Sequence, residues 1–358
     1  MSNNSVRHSL IDENAIPLPP AQDGLWAYSM LNFMPIFDYI LEDLKNPNIC
    51  EIGVEYGTSG RYFSNLAIKH AGSYSGIDPF LPANAVDDPP FIKYYKNYSE
   101  NYLSNEKWEH NLFIIDGDHN FTTVSKELNA IHKRSSELGR SPLIFMHDVT
   151  WPCGKRDAFY DLSRMPDDVV KNSQACASVD LNSEKLIEFG VGYGYDIGWR
   201  TVIGGPENGV LTALENFCDS QKDWKYLIIP AFFGLAVVWD NKNICPLLKQ
   251  KLDQLGGSLK IIGTTVANLE YNRISFYVEH TKLLASHSKL NNHLNDVSNN
   301  LPKNLLLKSI QLKKITTKLK IYLYWLMPSR RDKYRMMLRS LVQLVGNIED
   351  IHESRHQH

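Results

Sequence analysis

The sequence has no apolar run long enough to cross a membrane, no paired cysteines and no internal repeat. A spanning helix needs roughly 18–20 consecutive apolar residues, and no stretch approaches that. Five cysteines (Cys50, Cys153, Cys176, Cys218, Cys245) are scattered, odd in number and free of any Cys-x-x-Cys pair. That excludes a disulfide framework and a zinc cage. Met1 to Asn14 is polar and lacks the apolar core of a secretion leader, so the cytoplasm is the expected compartment. Net charge is also scarce at −2, but it hides an asymmetry. Pro302 to Ser340 holds eleven Lys and Arg against one acid, Asp332, or +10. The rest then carries 27 bases against 39 acids, or −12. An acidic body is thus followed by a basic tail.

What is present is ordinary for a globular chain: 43% hydrophobic and 22% charged residues in a length of 358. At roughly 100–200 residues per domain this allows one large domain with additions, or two smaller ones. Residues 22–46 place Leu25, Met30, Leu31, Met34, Phe37, Ile40, Leu41 and Leu44 at mostly helical spacing, with Pro35 as a kink or division. Alternation follows. Apolar runs at Ile49–Val54, Tyr74–Ile77, Phe91–Tyr95, Leu112–Ile115 and Pro142–Met146 are separated by helix-like stretches such as Arg61–His70, Glu100–Lys107 and Phe121–Leu138. Strand-helix alternation predicts a parallel sheet covered on both faces.

The rhythm breaks over 149–205, a segment rich in Gly, Asp, Trp and Tyr that reads as a lid or substrate platform. A helix over Gly209–Ser220 leads to two more apolar runs, Lys225–Ala231 and Gly234–Trp239. Only Phe232 and Phe233 separate them, so as strands they must pair antiparallel. The resulting division is a tail over 1–21, a domain over 22–244 containing the insert, and a helical segment over 245–285. Gly256-Gly257 is its expected break. A polar linker over 286–304 and a basic amphipathic tail over 305–358 complete the chain.

Ligands of parallel sheets sit at the carboxyl ends of the strands. The first strand-to-helix turn there is Glu51-Ile52-Gly53-Val54-Glu55-Tyr56-Gly57-Thr58-Ser59-Gly60. Gly53 and Gly57 let backbone approach a ligand, and Thr58 and Ser59 offer hydroxyls. The spacing departs from the Gly-x-Gly-x-x-Gly dinucleotide pattern, and Glu51 and Glu55 would repel a pyrophosphate. A cationic sulfonium with an amino acid tail is better served. The second strand ends at Asp78, placed to accept both hydroxyls of a ribose or to serve as a turn or cap residue. Asn97-Tyr98-Ser99 could touch an adenine; Ser99 could equally be a turn and cap residue.

Together with Ile115-Asp116-Gly117-Asp118-His119 and Met146-His147-Asp148, these motifs resemble class I S-adenosylmethionine-dependent methyltransferases. The likeness is to the bacterial group of sugar and small-molecule O-methyltransferases, and it covers about residues 22–240. It implies an α/β Rossmann-like sheet of seven strands, five parallel with a terminal antiparallel hairpin, helices on both faces and here a helical C-terminal extension. The implied cofactor is S-adenosyl-L-methionine, with Glu51, Gly53 and Ser59 at the methionine part, Gly57 in the cofactor-binding turn, Asp78 on the ribose, Ser99 near the adenine and Asp116 at the crevice.

Methyl transfer to a hydroxyl requires an aligned acceptor and removal of its proton. Asp116 closes the fourth strand and Asp148 the fifth, so both project to one rim, with His119 in reach as general base. A divalent ion could lower the acceptor's pKa, with Asp116, His147 and Asp148 as ligands to Mg2+ or Mn2+. The metal-dependent branch of the resembled family has Asp-Asn or Glu-Asp after the fifth strand; here the pair is His147-Asp148, and imidazole suits transition metals better. Against this, His147 could be a satisfied buried histidine, and Asp118 or Asn120 could cap the following helix.

In the insert, Trp151 and Tyr160 could stack on a sugar or flat ring, and Lys155 and Arg156 could hold an anionic group. Each could also pack the insert onto the body. The expected acceptor is a small molecule or glycan, and nucleic acid is not an expected partner. The 305–340 segment, with Tyr322, Tyr324 and Trp325, reads either as peripheral contact with the inner face of an anionic membrane or as a helix in a homo-oligomer. A nicotinamide-dependent oxidoreductase and an inert methyltransferase-fold scaffold are the rival functions.

Overall fold

In the computed structural model the described residues are 29–300, apart from 82, 84, 195 and 196, with the side chains of 294–300 also left aside. The chain divides into two units, residues 27–285 and the remainder, of which only the helical stretch 286–300 is described. The tail over 1–21 and the basic segment over 305–358, including its membrane and oligomer readings, lie outside the described residues.

The alternating runs become β1 (Asn48–Ile52), β2 (Ser73–Ile77), β3 (Ile92–Tyr95), β4 (Leu112–Ile115) and β5 (Leu143–Met146), all parallel where they pair. Helices α1 (Met34–Leu41), α2 (Thr58–Lys69), α3 (Ser99–Asn105) and α4 (Phe121–Glu137) precede or connect them. Pro35 stands in the first turn of α1, where its missing N–H costs nothing. Each strand feeds both faces. Ile49, Leu143 and Phe145 pack with α1 and α2, whereas Cys50, Ile52, Ile144 and Met146 pack with α4. Burial on both sides is why these strands read as unbroken apolar runs rather than as alternating ones.

The insert carries secondary structure of its own. It contributes β6 (Ala158–Phe159), α5 (Asp167–Lys171), β7 (Ser173–Ala175), β8 (Ala177–Val179), β9 (Leu186–Glu188) and β10 (Gly198–Arg200), forming a three-stranded sheet and a separate pair. Strands of two or three residues leave no period for a sequence reading to find. After α6 (Val210–Ser220), β11 (Trp224–Ile229) and β12 (Leu235–Asp240) form the expected hairpin. β12 enters the main sheet antiparallel beside β5, giving the order β11-β12-β5-β4-β1-β2-β3. This is the seven-stranded α/β architecture that the sequence implies, and it places the carboxyl ends of β1, β4 and β5 side by side.

The C-terminal segment differs from expectation. Helix α7 runs from Pro246 to Asn300 without a break at Gly256-Gly257 and without stopping at Ser286. Leu252, Leu255 and Leu259 pack on the body around the glycine pair, which outweighs the roughly 1 kcal/mol that each helical glycine costs. Beyond Ser286 the Asn and Ser content is unfavourable but contains no proline before Pro302, so propagation continues. Among the described residues no helix is long and apolar enough to cross a membrane.

Candidate active site

The turn after β1 is built by left-handed backbone. Gly53 has φ +89°, and a Cβ there would lie 2.1 Å from the Asp116 carbonyl oxygen. Its function is therefore to let the ends of β1 and β4 close on each other. Gly57, at φ +72°, donates its N–H to the Val54 carbonyl and stands before the first turn of α2. Gly60, not singled out by the sequence, makes room for a buried pair: a Cβ would lie 2.7 Å from the Tyr74 hydroxyl and 3.3 Å from Glu51 Oε2. Tyr74 donates to that oxygen. Glu51 is fully enclosed, and burial pushes its pKa up to about 7 despite hydrogen bonds from Ser59 and Tyr74, with the Asp116 and Asp78 carboxylates adding to the rise.

Asp78 holds the loop. Its Oδ2 accepts from Val54 N at 3.0 Å and Glu55 N at 2.9 Å, and its Oδ1 accepts from Phe80 N at 2.6 Å. A carboxylate offers about four lone-pair positions, so Asp78 retains an acceptor position but is first a loop anchor. Ser99 begins α3 and donates its hydroxyl to Glu127 Oε1 on α4; the cap position itself is Tyr98. Glu127 escaped the sequence reading. It is wholly buried, and burial raises its pKa to about 8.

At the rim, ligand atoms of Asp116, His119 and Asp148 lie within 4.8 Å of one another. His119 Nε2 is 3.4 Å from Asp148 Oδ2, and both side chains keep 12% exposure. Asp148 has φ +55°, a strained conformation for a non-glycine residue that turns its carboxylate onto the rim. The His119 and His147 rings hold Asp148 below the usual carboxylate range even though burial acts in the opposite sense. Asn120 caps α4 by accepting from Thr123 N at 2.8 Å, and its amide donates to Asp118 Oδ2, so Asp118 is occupied at the helix start.

His147 lies against the same two rim carboxylates. Its Nε2 donates to the Phe232 carbonyl at 2.8 Å, and its Nδ1 faces Asp116 Oδ1 at 3.1 Å and Asp148 Oδ2 at 3.4 Å. Burial alone would lower its pKa, but the two carboxylates hold it well above the ordinary value. Two ligand sets therefore fit the geometry: Asp116, His147 and Asp148, as the sequence predicts, and Asp116, His119 and Asp148. An octahedral ion with ligands at about 2.1 Å sets neighbouring donors about 3 Å apart, so small shifts would close the trio around Mg2+ or Mn2+.

The insert residues divide. Tyr160 is 60% exposed, with its hydroxyl 3.5 Å from His119 Nε2, and so stands at the mouth of the crevice. Trp151 packs on Tyr193 with ring centroids 5.2 Å apart. Lys155 pairs with Glu215 on α6. Arg156 is buried, and its guanidinium donates to the carbonyls of Arg200 and Glu184. It binds the insert together rather than holding an acceptor's anionic group, which corrects the sequence expectation. Asp157, unflagged by sequence, accepts from Phe121 N and Gly209 N, each at 2.7 Å, and so ties the insert to the starts of α4 and α6.

No family model matches the chain, and no curated protein matches it. Among solved structures it is similar to an SAH-bound methyltransferase of Podospora anserina, PaMTH1, at 16% identity and a TM-score of 0.32, over 56% of this chain and 75% of that one. It is also similar to the 1,6-didemethyltoxoflavin-N1-methyltransferase of Burkholderia thailandensis, solved with its substrate and S-adenosylhomocysteine. There the identity is 11% and the TM-score 0.34, over 60% and 80% of the two chains. The strand order itself carries the fold; likeness at this level leaves the chemistry to the residues.

Proposed function

We propose that this chain is an S-adenosylmethionine-dependent O-methyltransferase acting on a hydroxyl of a sugar, glycan or small molecule. The observation that carries the reading is the crevice at the ends of β1, β2, β4 and β5. Its loop N–H groups are turned onto Asp78, and Glu51, Glu55, Asp78, Asp116 and Asp148 leave it acidic. Such a site favours a cation and disfavours a dinucleotide pyrophosphate, which counts against the oxidoreductase rival. When bound, the cofactor supplies an electrophilic methyl group on a sulfonium. Glu51, Ser59 and Asp78 orient it by charge and hydrogen bonding. His119, oriented by Asp148, takes the acceptor proton, and exposed Tyr160 lines the approach.

The same donor atoms favour a second reading, in which Asp116, His119 and Asp148 hold Mg2+ or Mn2+ and the ion would lower the acceptor's pKa. His119 is then a ligand, not the base. Calorimetric titration separates the possibilities. Binding of S-adenosylmethionine and its demethylated product, without binding of NADH, is expected; absence of cofactor binding sinks the proposal. Cofactor binding without turnover on any hydroxyl acceptor would favour the inert scaffold.

A further inference from the structure

The turn between β11 and β12 has three consecutive left-handed residues, Phe232 (φ +47°), Phe233 (φ +68°) and Gly234 (φ +90°). Two phenylalanines in this region are costly, so surrounding contacts must impose the conformation. Those contacts come from distant parts of the chain. Phe33, before α1, meets the Phe232 ring edge-on at 5.7 Å and the His147 ring at 6.0 Å. Thr150 N donates to the Phe233 carbonyl at 2.9 Å. From α7, buried Glu270 accepts from Phe233 N at 2.9 Å, and the Arg273 guanidinium bonds Glu270 while lying over both phenyl rings.

The turn in turn presents the Phe232 carbonyl to His147 Nε2, and the opposite ring nitrogen faces Asp116 and Asp148. We propose that Glu270 is a positioning residue for the reaction site. By fixing the Phe232–Gly234 turn it keeps the His147 ring aimed at the two rim carboxylates, so α7 is part of the catalytic unit. This rests on the reading of Asp116 and Asp148 as the reaction centre. It gives His147 a role that its residue type alone does not disclose, since the ring orients carboxylates through a carbonyl 85 residues away in the fold's closing hairpin.

The test uses the full chain labelled with 15N-histidine. The His147 Nε2 proton, assigned by its loss in His147→Gln, should exchange slowly with solvent. Glu270→Ala should speed that exchange roughly tenfold or more, whereas Glu270→Gln, which keeps an oxygen for Phe233 N–H, should leave it near the parent rate. Should Glu270→Ala not fold, Glu270→Asp carries the same expectation with a smaller change. Exchange unchanged in the Ala and Asp variants, or accelerated equally in Gln, overturns the proposal. A second arm measures Mn2+ affinity. Loss of roughly 10–100-fold in Glu270→Ala, the range for supports of metal ligands, with unchanged affinity for the demethylated cofactor, supports positioning over general damage; equal losses of both overturn it. If the parent binds no Mn2+, the metal reading falls, and the exchange arm still decides the role of Glu270.

Discussion

Glu51 is the residue whose environment most alters its chemistry. In an unfolded chain its carboxyl titrates near 4.5, and in the fold near 7. Between those values the folded state holds a proton that the unfolded state has lost, so Glu51's contribution to stability falls as pH rises. Above about 7 the penalty is constant. A cationic cofactor prefers the ionised form, so S-adenosylmethionine should bind roughly tenfold tighter at pH 8 than at pH 6. Glu51→Gln should flatten that dependence in calorimetric titrations; an unchanged slope would remove Glu51 from the cofactor site. Gly53 offers a second check. Because of its φ of +89° and the Asp116 carbonyl 2.1 Å from any added Cβ, Gly53→Ala should cost about 2–4 kcal/mol by denaturant unfolding. Tyr74 and Asp116, which enclose the two residues, are distant from them in sequence. The loop was legible as a cofactor turn, but which glycine serves backbone packing and which carboxyl is enclosed were not.

At the level of elements, Asp157 shows how the insert is joined to the sheet. One carboxylate oxygen accepts from the first residue of α4 and from the residue preceding α6. Asp157→Ala leaves both donors without their buried partner and should destabilise the chain by about 1–3 kcal/mol, with faster amide exchange at Phe121 and Gly209. If protection at both amides persists, the clamp is not what holds the insert. The main strands and helices were readable because their apolar runs are continuous and separated by helical stretches. The insert was not, because strands as short as Ala158–Phe159 are fixed by pairing with Gly198–Trp199 rather than by any local pattern. Helix α7 continues through Gly256-Gly257 for the same reason, since packing of Leu252 and Leu259 outweighs local propensity.

Across the whole chain, charge is divided between an acidic body and the +10 stretch Pro302–Ser340. Basic residues beside Tyr322, Tyr324 and Trp325 predict cosedimentation with anionic vesicles, weakening as salt rises above about 0.1 M because the attraction is screened. Retention on neutral vesicles to the same extent, or no binding at all, would count against an electrostatic membrane contact.

The sequence by itself determined the seven-stranded sheet, the antiparallel close and the strand ends that carry Glu51, Asp78, Asp116 and Asp148, because hydrophobic runs and turn residues act over a few positions. Tertiary structure alone decided which of these side chains meet. It brought His119 as well as His147 to the rim carboxylates, committed Asp78 to the loop and buried Arg156. Each outcome depends on a partner far along the chain: the Phe232 carbonyl, the loop N–H groups and the carbonyls of Glu184 and Arg200. A carboxylate or imidazole takes its role from what saturates its hydrogen bonds, and that is settled only when distant segments pack.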